Sequence, residues 1–172
     1  ALPNVLNDVN ALSTKYGSIL DYYESLNLIK RKLVIKRIVI NDIKITFVPA
    51  NEEATVTIFI FEQNGKKLIY APCDVKPFPN SRLFYDADYL IIGNTIIGNI
   101  LKNNFYLTKN NPLNLELFSF EEVLELKAKY NIQNVIITHL EEDWGKSYDD
   151  YLNYEKECIA IKFAYDGMTI EL

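Results

Sequence analysis

Few residues of this chain are equipped for chemistry. The 172-residue sequence has one histidine, His139, and two cysteines, Cys73 and Cys158. Asp74 and His139 each stand just past an apolar, strand-like run, residues 67–71 and 134–138. In layered α/β folds strand ends converge on one edge, and ligands bind there. A carboxylate and an imidazole at such an edge can ligate zinc, manganese or iron. They can also act as a general acid–base pair. Taken singly, each has a plainer reading: Asp74 forms a turn ahead of Pro77, and His139 bonds nearby backbone. Glu141, Glu142 and Asp143 follow His139 closely, as further carboxylate ligands, as partners that orient a ligand, or simply as an exposed acidic loop. Glu52 and Glu53 read as solvated loop charges. Cys73 is a ligand, a reactive thiol or a small apolar side chain. Trp144 is expected to pack over a strand end. No GxGxxG, Walker loop, GxSxG or CxxC occurs.

Composition narrows the classes. A chain that is 49% hydrophobic and 24% charged can build one globular core. Apolar runs such as residues 89–92 fall far short of the roughly 20 residues that span a bilayer, so no membrane partner is expected. A net charge of −5 disfavours a partner bound through phosphate neutralisation, which leaves nucleic acid open but not favoured. The basic patch Lys30-Arg31-Lys32 with Lys36 and Arg37 reads as a solvated helix end running into a strand. Sparse cysteines and no secretory leader make a reduced cytoplasmic setting the expectation, and a Cys73–Cys158 disulfide is an option that no cysteine pattern supports.

The elements that must position these residues follow from periodicity. Residues 1–29 read as helical with a break at Gly17. Strands are predicted at 33–40, 43–47, 55–61 and 67–71, the last two joined by the Asn64-Gly65 hairpin turn. Three prolines in residues 72–79 make an ordered loop. Residues 89–92 read as a strand buried on both faces, and 94–114 as irregular. Ser119 and Glu122 form a capping box opening a helix to about Tyr130. A buried strand at 134–138, a helix at 148–157, a strand at 159–165, an Asp166-Gly167 turn and a last strand at 168–172 complete the chain. The order is an antiparallel meander followed by β-α-β-α-β.

Four segments carry a resemblance. Lys67-Leu68-Ile69-Tyr70-Ala71-Pro72-Cys73-Asp74 resembles the strand-then-Asp motif of the metallo-β-lactamase superfamily. Asp88-Tyr89-Leu90-Ile91-Ile92 resembles its next apolar strand, and Val135-Ile136-Ile137-Thr138-His139-Leu140 its final strand-His motif. Tyr165-Asp166-Gly167-Met168 resembles its closing hairpin. Over residues 33–172 the chain is most similar to the branch holding the phosphonate-pathway cyclic-phosphate phosphodiesterase and the tRNA 3′-end endonucleases. The resemblance implies an α/β (α+β) fold, part of a four-layer α-β-β-α sandwich. It implies two divalent metal ions, zinc or manganese/iron, with the residue matching Asp74 bridging both and the residue matching His139 binding the second. It implies a hydrolase in which a metal-bound hydroxide attacks a phosphodiester-type bond of a small-molecule or phosphodiester substrate.

The chain departs from that pattern. The superfamily's His-x-His-x-Asp-His cluster is absent from residues 1–172, and Asn51-Glu52-Glu53 stands where another family histidine falls. Whether Glu52 replaces that histidine is open. The expectation is therefore a single incomplete domain, 1–172, lacking the N-terminal metal-motif segment, with one inner sheet face uncovered. Such a chain holds metal partially or not at all, and needs the missing segment or a complementary chain. A homo-oligomer is a further option. The alternative is a degenerate, metal-free binding or assembly module, and beyond it an unrelated α/β interaction domain.

Overall fold

The computed structural model describes residues 2–15, 17–51, 56–73 and 75–172. The predicted N-terminal helical stretch is two helices, α1 (Pro3–Ala11) and α2 (Ile19–Ser25), separated by a two-stranded ladder, β1 (Ser13–Thr14) and β2 (Gly17–Ser18). Gly17, at φ +106°, supplies the backbone conformation that turns the chain there. Ser18 caps α2 by accepting from the Asp21 N–H.

The meander follows as β3 (Arg37–Ile40), β4 (Ile43–Pro49), β5 (Thr57–Gln63) and β6 (Lys66–Ala71). The chain then runs through β7 (Tyr89–Gly93), α3 (Leu113–Glu116), α4 (Phe120–Lys129), β8 (Asn134–Thr138), α5 (Tyr148–Glu157) and β9 (Ile161–Phe163). Strands β3 to β9 form one seven-stranded sheet in sequence order. The pairs from β3 to β6 are antiparallel, and those from β6 to β9 are parallel. Both capping boxes, Ser119 with Glu122 and Ser147 with Asp150, are fully formed and fix where α4 and α5 begin.

Register sorts the side chains onto two unlike faces. Ile60, Ile69, Leu90, Val135 and Ile161 are in line across five strands, as are Ala71, Ile92, Ile137 and Phe163 across four. All are buried, in one cluster with Phe84, Val123, Leu126 and Tyr130. The other face carries Phe47, Phe59, Tyr70, Ile91 and Ile136 in one line and Ile45, Phe61, Leu68 and Tyr89 in the next. Ile136 is buried there, but the rest are half-exposed or exposed. The sheet thus has one covered apolar face and one largely open apolar face.

Three expectations need correction. Residues 33–35 are not a strand: the chain bends at residues 35–36, and only the Phe47 N–H to Lys36 carbonyl bond (2.8 Å) starts the pairing ahead of β3. Residues 89–92 are not buried on both faces, because Tyr89 and Ile91 lie on the open one. Residues 168–172 are not a strand: the Asp166-Gly167 turn forms, but the tail lies against the open face, sharing hollows with Tyr89 and Ile136 and, at Leu172, with Phe61 and Leu68. Cys73 and Cys158 are both thiols. Among the described residues no helix is long and apolar enough to cross a membrane.

Candidate functional site

The parallel strands β6, β7 and β8 finish together. Ala71 pairs with Ile92, Ile92 with Ile137, and Gly93 with Thr138. The chain therefore leaves all three strands at one edge, through Pro72-Cys73, Asn94 and His139. Contact there is close. A Cβ on Gly93 would stand 3.0 Å from the Cys73 nitrogen and 3.3 Å from the Pro72 carbonyl carbon. Any larger residue would push on the Cys73 backbone, so glycine suits the close approach of β7 to the segment after β6. Asp74 itself, like Glu52 and Glu53, lies outside the described residues.

His139 is the first residue past β8 and turns the chain at φ +53°. Its imidazole is 48% exposed, and Nε2 lies 2.9 Å from Glu141 Oε1. Asn94 turns at φ +52°, and its N–H donates to the Thr138 carbonyl at 3.1 Å. Trp144, in the 142–144 turn, is buried and belongs to the main core cluster. Glu142 pairs with Lys102, which holds the 102–104 and 142–144 turns together. That pairing moves the Glu142 carboxyl below and the Lys102 ammonium above their ordinary values, by hydrogen bond first and charge second.

Lys76, Asn94 and Thr95 gave no signal in the sequence. Lys76, in the proline-rich loop two residues past Asp74, places Nζ 2.7 Å from both carboxylate oxygens of Glu122. It also donates to the carbonyls of Asn114 at 2.7 Å and Leu117 at 3.0 Å. This clamp ties the loop after β6 to the start of α4. Lysine in a polar loop reads as solvated, and its acceptors lie 38 to 46 residues further along the chain. Asn94 Oδ1, Thr95 Oγ1 and Trp144 Nε1 are sealed from solvent with no hydrogen-bond partner among the described residues. Asp88, by contrast, belongs to the opposite end of β7, where its carboxylate accepts from the Lys67 N–H at 2.8 Å and pairs with Lys66 at 3.1 Å.

The metal ions implied by the resemblance meet a partial donor set. An exposed imidazole at a strand end is a suitable single ligand. Among the described residues no group of three or more His, Cys, Asp or Glu side chains gathers around it or elsewhere. Those residues alone do not fit a closed metal centre, which takes at least three protein ligands.

No protein-family profile and no curated protein sequence matches the chain. Its fold does have solved counterparts. Zinc-bound PqqB from Methylobacterium extorquens superposes with a TM-score of 0.65 and 17% identity, over 99% of this chain and 61% of that one. A diphosphatase from the PhnP family gives 0.58 and 13% identity, over 97% of this chain and 65% of that one. The metallo-β-lactamase fold protein YhfI from Bacillus subtilis gives 0.55 and 14% identity, over 88% and 62%. The chain has the metallo-β-lactamase fold, and it spans less than two thirds of the length of each of these structures.

Proposed function

We propose that this chain is part of a metal-dependent hydrolase acting on a phosphodiester-type bond, with Asp74 and His139 among its metal ligands. The observation that carries this reading is the shared edge of β6, β7 and β8. Residues exiting β6 and β8 flank β7, and the Gly93–Cys73 approach draws the first of these exits close. The likeness to a PhnP-family diphosphatase supports a phosphoester over a thioester or lactam. Divalent metal would supply Lewis-acid stabilisation and an activated water in the whole protein. Here the role of His139 is to present an imidazole nitrogen at the edge, with Glu141 oriented toward it.

The remaining ligands would come from a complementary segment or chain seated on the open sheet face. That face is a row of aromatics, with Phe47 and Phe59 ring centres 5.3 Å apart and Phe59 and Tyr70 6.3 Å apart. The fraction of the solved counterparts that this chain spans fits the same reading. Two thiols, not a disulfide, fit a reducing cytoplasmic compartment.

The test uses the protein as its gene encodes it. Metal-dependent hydrolysis of bis(p-nitrophenyl) phosphate is expected, and Asp74→Ala should abolish it while leaving the circular dichroism spectrum unchanged. Activity retained in a folded Asp74→Ala protein sinks the assignment. The second reading, a metal-free assembly module, draws on the same open face. It predicts a folded protein that binds a partner through that face and hydrolyses nothing.

A further inference from the structure

The segment joining α2 to β3 is unlike the rest of the surface. Residues 25–41 hold Lys30, Arg31, Lys32, Lys36 and Arg37 and no aspartate or glutamate, in a chain whose net charge is −5. The basic run is not a helix end, since α2 stops at Ser25 and residues 29–34 have no regular structure. The aliphatic side chains set among these cations also face water. Leu26, Leu28, Ile29, Leu33 and Ile35 are all exposed, Leu28 at 66% and Ile35 at 69%. One exposed leucine needs no explanation, but this density of them among cations does.

Two anchors hold the segment in place. Arg31 turns inward: Nε and Nη2 donate to Glu24 Oε2 at 2.8 and 2.5 Å, Nη2 lies 2.7 Å from Asp21 Oδ1, and Nη1 donates to Asn10 Oδ1 at 2.8 Å. Val34 is buried between exposed Leu33 and Ile35. Both acids of α2 are thus engaged by the one cation that faces the protein. Lys30 is near enough to Glu24 to act on its carboxyl. Lys36 and Arg37, both exposed, form no ion pair among the described residues. What the segment shows to solvent is positive charge and aliphatic surface together.

We infer that this segment docks the protein on an anionic phospholipid bilayer, with Lys36 and Arg37 at the headgroups and Leu28 and Ile35 entering the acyl boundary beneath them. Charge complementarity selects this partner. Nucleic acid would match the cations and leave the aliphatic side chains in water. An apolar protein groove would bury the aliphatics and strand the cations. An anionic bilayer offers both, negative headgroups over hydrocarbon. Lysine and arginine stems lie along apolar surface while their heads stay wet, so interleaving along the chain suits this boundary. No described helix is long and apolar enough to cross a membrane, and adhesion of this kind needs none. The claim concerns where the molecule sits and is independent of hydrolysis at the strand-end edge.

The protein as its gene encodes it is mixed with vesicles of phosphatidylcholine alone, or of phosphatidylcholine and phosphatidylserine in equal parts, and bound protein is measured by sedimentation. It should bind the mixed vesicles far more tightly than the neutral ones, and added salt should release it. Lys36→Gln with Arg37→Gln should weaken binding roughly twenty-five-fold, at about fivefold per cation. Leu28→Ser with Ile35→Ser should weaken it by roughly tenfold or more at the same net charge. All four side chains are exposed, so the circular dichroism spectrum should not change in either double variant. Equal binding to the two vesicle types, or undiminished binding in either double variant, overturns the inference. So does a folded wild-type protein that binds no vesicles, whether or not it binds a single-stranded oligonucleotide or an acidic protein instead.

Discussion

Asp88, at the start of the second motif strand, serves the fold. The Lys67 N–H, and then the Lys66 ammonium, hold its carboxyl below the ordinary carboxylate value. A depressed folded value means that its stabilisation is complete above the unfolded carboxylate's range and is lost as pH falls through the folded one. Asp88→Ala should lower stability near neutrality by about 1–3 kcal/mol. It should also flatten the acid limb of the stability–pH curve, measured by urea unfolding across pH. An unchanged acid limb would remove Asp88 from this role. His139 was legible as a strand-end residue because a β-branched run ends one position before it. Its contact with Glu141 was legible only as proximity in sequence. Lys76 was not legible at all, since its partners are brought to it by the crossover from β7 to α4.

At the scale of elements, two devices hold the site edge. The Lys76 clamp joins the loop after β6 to the capping box of α4, with its side chain 14% exposed. Lys76→Met takes the ammonium donor from the carbonyls of Asn114 and Leu117 and leaves the Glu122 carboxylate only the Ser119 N–H of the capping box. It should cost about 2–3 kcal/mol, read as a shift in urea midpoint. Gly145→Ala combines a left-handed backbone with a clash against Lys102 backbone, which cannot swing away. It should destabilise by at least about 1–2 kcal/mol, read as a shift in urea midpoint. The meander and the β-α-β-α-β order were readable because alternation, the Asn64-Gly65 turn and the Ser119–Glu122 capping box all agree. Residues 33–35 and 168–172 were misread for one reason. Their alternation serves contact with other parts of the chain, as Val34 buried between exposed Leu33 and Ile35 shows, and no ladder partner lies beside them.

For the whole molecule, the informative feature is the contrast between the two faces of the sheet. One is closed by α4 and the 78–84 aromatics, and the other shows Phe47, Phe59, Phe61 and Tyr70 to solvent to differing degrees. Single exposed apolar residues are ordinary, but a contiguous row across a sheet marks an interface. Residues 1–172 produced alone should bind a hydrophobic dye and self-associate, and Phe59→Glu with Tyr70→Glu should reduce both. A monomeric chain that binds no dye would mean that the face is not an interface.

The central claim is that Asp74 and His139 hold metal in the whole protein, and metal stoichiometry tests it most directly. Zinc, manganese and iron are counted per chain by mass spectrometry after gel filtration, for the protein as its gene encodes it and for His139→Ala and Asp74→Ala. The expected result is about two divalent ions per chain, with clear loss in His139→Ala and greater loss in Asp74→Ala. A folded wild-type protein that takes up no metal from zinc- or manganese-supplemented buffer, or full loading in both variants, would contradict it.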